Sequence, residues 1–246
     1  MTCLNLHDGP MNAGGFVMPE FLVSQVRVGR VKPLRAEAIP SGIRKYSVAG
    51  PIAAAVCGLD GDEQGDRRNH GGPDKAIHAY AAAHYPAWRN DLPELAAEFQ
   101  PGAFGENLVV HGAVEADICL GDQWTLGEAL LEVSQARQPC WRLNLRFQRH
   151  DMARRVQESG RTGWYFRVLK PGHIAPGQTA RLVERPHPEW SLDRVWTLLY
   201  RDRNNRTALT AFAALPGLPE RWRNMAEARL ANGRTEDWTR RLETPA

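Results

Sequence analysis

The sequence predicts a mainly β chain: a barrel interrupted by a few helices, followed by a small three-helix domain. Runs at 22–28, 107–111, 128–135 and 178–184 carry period-two or β-branched signals, as strands do when alternate side chains face one side of a sheet. Gly121-Asp122, Gly127 and Pro171-Gly172 punctuate these runs as turns. Many short strands with close turns favour a barrel over a doubly wound sheet. No Gly-x-Gly-x-x-Gly follows a strand, so a dinucleotide fold has no support.

The elements follow in order. Residues 1–20, with Gly14-Gly15 and no periodicity, read as a flexible N-terminal arm. The barrel spans 22–185, and helices over 76–90 and 151–159 interrupt it. In the second helix Met152, Val156 and Ser159 share a face. Arg185-Pro186-His187-Pro188 is a linker. Ser191 then caps a helix over 192–200, which Asn204-Asn205 breaks. A second helix covers 207–215 and ends at Pro216-Gly217. Pro219 opens a third, stopped by Asn232-Gly233. This three-helix domain, 189–235, is too small to hold a large core and should pack on the barrel or meet a partner. Residues 236–246 read as a tail.

Charge and targeting signals exclude several classes. The chain has 246 residues and a formal net charge of +3, and ten arginines against seven acids place that excess after residue 189. A neutral body has no electrostatic footprint for duplex nucleic acid, so none is expected as partner. The N-terminus has neither a basic nor an apolar stretch, and the longest weakly polar run, 48–59, is too short to span a bilayer. No membrane partner and a cytoplasmic location are expected. The four cysteines, Cys3, Cys57, Cys119 and Cys140, form no Cys-x-x-Cys pair, which argues against a zinc site or a disulfide framework.

Cys140 carries the most chemistry. It follows Pro139 where a strand meets a corner, with Arg137 before it and Arg142 after it. Fixed positive charge favours the thiolate, the form that attacks electrophiles and binds soft metals. The alternative is a buried cysteine serving as a small hydrophobe. A second constellation is His70-Gly71-Gly72-Pro73-Asp74-Lys75. Consecutive glycines let backbone N–H groups converge on an anion, a following helix adds its positive end, and Lys75 adds a charge. The bare pattern also fits a turn with a helix cap. The preceding loop imitates a calcium site with Asp60, Asp62 and Gly65, but Gly71 stands where a bidentate Glu is needed. His70, His78 and His84 are not spaced as a metal pair on one helix face. A third piece is Phe104-Gly105-Glu106-Asn107-Leu108, where Gly105 frees the backbone and Asn107 offers a donor and an acceptor.

The order of these pieces, completed by Gly121-Asp122 and by Ser134-Gln135-x-Arg137-x-Pro139-Cys140, resembles the MOSC family, the domain related to the C-terminal part of molybdenum cofactor sulfurases. Within it the chain looks like the YiiM-type branch, linked to resistance against 6-N-hydroxylaminopurine. The resemblance covers about 22–185, and the helical segment is similar to the three-helix domain of that branch. It implies a MOSC-type β-barrel that binds molybdenum cofactor, with Cys140 as thiolate ligand to the metal. It further implies two-electron reduction of a small N-hydroxylated substrate to the amine, with electrons from an external flavoprotein. Lys75, the Gly71 and Gly72 backbone, and Arg137 or Arg142 are candidates for the phosphate and pterin. Asn107 is a candidate for pterin hydrogen bonding and His70 for a nearby proton donor. The family also carries an association with pyridoxal phosphate, to which no residue is assigned. Two other readings stay open: a non-redox cofactor or persulfide carrier, and a cysteine-nucleophile enzyme, which lacks an evident histidine base. On the reductase reading, the Arg-rich helices attract an acidic electron donor, and deleting 189–246 should spare turnover with a small reductant.

Overall fold

The computed structural model describes residues 19–34 and 39–245. The expected arm lies outside them except for Pro19 and Glu20, and Glu20 already opens the first strand. Six strands come first: β1 (Glu20–Val28), β2 (Lys32–Leu34), β3 (Ile39–Ser41), β4 (Tyr46–Ser47), β5 (Ile52–Ala55) and β6 (Gly58–Leu59). Helix α1 (Arg67–His70) and a 3-10 turn, Pro73–Lys75, lead into β7 (Ile77–Ala81) and α2 (His84–Asp91). A second 3-10 turn, Pro93–Glu98, precedes β8 (Leu108–His111), β9 (Gln123–Leu126) and β10 (Ala129–Ala136). Helices α3 (Arg142–Phe147) and α4 (Met152–Ser159) separate β10 from β11 (Trp164–Lys170), β12 (Gly172–Ile174) and β13 (Gln178–Glu184). Helices α5 (Leu192–Tyr200), α6 (Arg206–Ala213), α7 (Glu220–Asn232) and α8 (Thr239–Leu242) complete the order.

Strands β13, β9, β10, β11, β7, β8 and β1 pair in that sequence, and β1 pairs back to β13, closing a seven-stranded barrel. Closure removes the free edges that an open sheet would expose. Every pairing in the ring is antiparallel except β7 with β8. Alternate residues of β1, β10 and β11 fill the interior: Phe21, Val23, Leu131, Val133, Trp164 and Phe166 are all buried.

The helix expected over 76–90 is a correction. Its first part is strand β7, and only His84–Asp91 is helical. All five β7 residues are buried, because the strand sits between β11 and β8 with both faces covered. Such a strand loses its alternation, so His78 and Tyr80 masked it in the sequence. Tyr80 instead leads a second, aromatic cluster outside the barrel, where it stacks on Phe104 at 4.5 Å between ring centres.

The C-terminal helices pack on the barrel. Leu192, Val195, Leu198, Phe212 and Trp222 belong to the same apolar cluster as the barrel interior. Ser191 caps α5 by accepting from the Arg194 N–H, and Gly233 ends α7 in the left-handed conformation. The tail expected at 236–246 is also corrected: it folds back and forms α8, and Leu242 is buried in the aromatic cluster.

Candidate active site

The sequence motifs meet because they hydrogen-bond to one another. Ser134 Oγ and Gln135 Nε2 donate to the Asp74 carbonyl at 2.6 and 3.1 Å, which pins the Pro73–Lys75 turn to β10. Arg137 Nη2 donates to the Phe104 carbonyl at 3.3 Å, tying in the third motif. The Val133 N–H donates to the Asp122 carbonyl, and the Val133 carbonyl accepts from the Gly121 N–H, each at 2.9 Å, tying in the Gly121-Asp122 turn. Strand β10 ends at Ala136 and delivers Cys140 to the corner before α3.

Cys140 meets His70 there. Its Sγ lies 3.5 Å from His70 Nε2, and His70 is held at the end of α1, whose N-cap Asp66 accepts from the Asn69 N–H. Burial alone would push the thiol up. The hydrogen bond and charge of His70, the charge of Arg137 and the Arg142 backbone N–H outweigh it and bring Cys140 down to about 6. Arg142 Nη1 is 3.3 Å from the same His70 nitrogen and 3.6 Å from Asp66. A single nitrogen cannot serve both neighbours in one state. Protonated, Nε2 donates to the thiolate; unprotonated, it accepts from Arg142. The tautomer of His70 therefore decides which of the two neighbours it bonds.

The other expected residues divide. Lys75 lies in the same wall as Cys140, and burial with the charge of Arg221 pushes it down to about 8 against the pull of Cys140 and Asp74. Arg137 is buried, and its Nη1 has no acceptor in hydrogen-bond geometry. Gly71 and Gly72 do not line the cavities beside Cys140. The helix that would add its positive end to them is absent, since a single 3-10 turn runs straight into β7. Gly72 has φ 93°, a value glycine adopts without strain, so its role there is the turn.

Asn107 lines the smaller cavity beside Cys140, but its amide donors serve the fold. Its Oδ1 accepts from the His78 N–H at 3.0 Å, and its Nδ2 donates at 3.0 Å to both the Arg27 carbonyl and Asp62. The amide has no donor left for a pterin. It staples β7 to β1 and to the buried Lys45–Asp62 ion pair. Asn107→Ala is expected to cost about 2–4 kcal/mol of stability, because it strands buried polar groups. Urea denaturation checks this, and an unchanged midpoint would remove the staple.

Sequence reasoning missed Asp62, Asp66, Tyr165 and Arg221. Asp62 and Asp66 sat in the rejected calcium-like loop, whose acid density was the available signal. Tyr165 and Arg221 lie far along the chain and had none.

Two cavities share Cys140, His70, Lys75, Arg142 and Tyr165 in their walls. The inner one, about 90 Å³, reaches Arg137, His78 and Lys45. The outer cleft, about 960 Å³, is walled on its far side by α7 and the segment around α8. That segment grips the cysteine corner from both flanks. Arg241 Nη1 donates to the Pro139 carbonyl at 2.6 Å, and the Arg241 carbonyl accepts from the Trp141 N–H at 2.8 Å.

Residues 66–181 match the MOSC domain model, and residues 190–233 match the YiiM-like 3-alpha helix domain. Protein YiiM of Escherichia coli (strain K12) is 36% identical over 84% of this chain and 92% of its own length. The chain belongs to the MOSC family, in its YiiM-like branch. The MOSC match contains both Cys140 and His70, and the 3-alpha match takes in α5 to α7. A crystal structure of Escherichia coli YiiM superposes with a TM-score of 0.78, covering 92% of this chain and all of that one at 30% identity. A protein of Gibberella moniliformis (strain M3125 / FGSC 7600) named "Reductase" is 40% identical over 84% of this MOSC chain, which spans 37% of that longer protein. Among the described residues, no helix is long and apolar enough to cross a membrane.

Proposed function

We propose that this protein is a molybdenum-cofactor-dependent reductase of N-hydroxylated compounds, in which Cys140 is the metal's protein ligand. The observation that carries the proposal is the Cys140–His70 contact at 3.5 Å, with the thiol brought down to about 6, at the wall shared by two cavities. A thiol at that value is a thiolate at neutral pH, the soft donor such a metal takes.

The surroundings fit the group. Among the described residues, no three His, Cys, Asp or Glu side chains cluster to hold a metal ion, so a metal at Cys140 has to bring its other ligands with it. A cofactor-borne metal does so. Arg137 Nη1, buried without an acceptor, and Arg142 supply positive charge for an anionic group beside the sulfur. When bound, the cofactor supplies the two-electron chemistry, R–NHOH + 2 e⁻ + 2 H⁺ → R–NH2 + H2O. An external electron donor, of the flavoprotein class, supplies the electrons. The chain's own part is to present the thiolate, place positive charge, and hold a proton on His70 Nε2 next to the reacting centre.

The same contact supports a second reading, because His70 supplies the base that a cysteine nucleophile needs. Metal and pterin analysis of protein from a host that makes molybdenum cofactor separates them. Near-stoichiometric molybdenum, with amine formed from an aromatic hydroxylamine under a chemical reductant, is expected. Full molybdenum without turnover would point to a cofactor carrier. Metal-free protein from that host would sink the reductase reading.

A further inference from the structure

The outer cleft is far more basic than reduction of an uncharged hydroxylamine requires. Its wall holds eight Lys and Arg side chains and three carboxylates. Arg142 is paired with Asp66 at 3.6 Å, and Arg229 with Glu236 at 2.8 Å. Among the described residues, Arg221, Arg234 and Arg240 have no ion-pair partner, although all three face the cleft. Lys75, from the barrel, shares that wall with Arg221, from α7, and burial together with the charge of Arg221 lowers its proton affinity. Two like charges held across a cleft by rigid elements repel unless an anion lies between them. Aromatic faces complete the lining at Trp141, Tyr165 and Trp238. At about 960 Å³, the cleft sits at the top of the range for small-molecule sites, with room beyond a single heterocycle.

Resting on the reductase reading, we propose that the substrate is a phosphate ester of an N-hydroxylated base, a nucleotide rather than the free base, whose phosphate lies between Lys75 and Arg221. The base reaches Cys140 along the aromatic wall, and Arg240 and Arg234 add to the field that draws the anion in. Phosphate can also arrive on the cofactor itself, so the test separates the two sources.

The probes are adenosine 5′-monophosphate and adenosine, titrated calorimetrically into the full chain in its molybdenum-loaded and metal-free forms. Both forms are expected to bind the monophosphate, and adenosine should bind at least about tenfold more weakly. Arg221→Gln, at an exposed position, should lower monophosphate affinity about ten- to a hundredfold, leaving adenosine affinity and melting temperature unchanged. Raising salt should weaken the monophosphate alone. Equal affinity for the two probes, or no binding of either, overturns the proposal. Monophosphate binding confined to the metal-free form assigns the anion site to the cofactor and overturns it too. So does an Arg221→Gln protein with full monophosphate affinity that is slow only with a protein electron donor, because the arginines would then be a docking surface. Molybdenum content of the same preparation tests the reductase reading separately.

Discussion

Cys140→Ser is expected to abolish reduction of an N-hydroxylated substrate while moving the melting temperature by no more than a few degrees. Serine nearly matches cysteine in size, and its hydroxyl does not ionise at neutral pH, so the soft anionic donor disappears and the packing stays. The thiolate itself can be read without any metal. In cofactor-free protein the rate of alkylation by iodoacetamide should rise as pH increases through about 6, where Cys140 loses its proton. His70→Ala removes the largest stabilising influence on the thiolate, so the same profile should move to higher pH. Cys57 is exposed and is replaced by serine in the background protein to keep the readout clean. Unaltered turnover in folded Cys140→Ser protein would rule out the ligand role, and an alkylation midpoint near 9 would rule out the activated thiol.

Deletion of 189–246 is expected to abolish cooperative folding rather than spare activity. Leu192, Val195, Leu198, Leu199, Leu209, Phe212 and Trp222 are each at most 3% exposed and share the barrel's apolar cluster. Burying each such side chain contributes about 1.5–3 kcal/mol, and seven of them rival the whole stability of a typical domain. The truncated barrel would also lose Leu242 from the aromatic cluster and the Arg241 contacts on the cysteine corner. Thermal melting and gel filtration check this. A soluble, monomeric 1–188 protein with a sharp transition would show that the helices are an independent appendage. The expectation that they are dispensable for turnover with a small reductant is thereby replaced, for the reason that their apolar faces have no other cover.

Much of this fold could be read from local pattern. Strand β13 and helix α5 fall where period and capping placed them, since one face of each is buried and the other is not. Strand β7 could not be read, because a strand buried on both faces carries no alternation. The site divides along the same line. Cys140 announced itself through its neighbours in the chain, Pro139, Arg137 and Arg142. His70 was visible as a motif residue, but its contact with Cys140 spans 70 positions and is made by the barrel. Asn107 shows the opposite case, a motif residue whose two amide donors serve the fold. Arg221 is a solvated helix arginine by sequence, and only the docking of the C-terminal helices brings it into one cleft with Lys75.

The Arg241 contact has a consequence in time. Pro139 and Arg241 are 102 positions apart, so during synthesis the cysteine segment emerges well before the residues that clamp it. At about 5–20 residues per second, that interval is on the order of 5–20 s. Throughout it the barrel lacks both the apolar cover of the C-terminal helices and the clamp on its cysteine corner. Completion of that corner is thus among the last steps that the order of the chain allows.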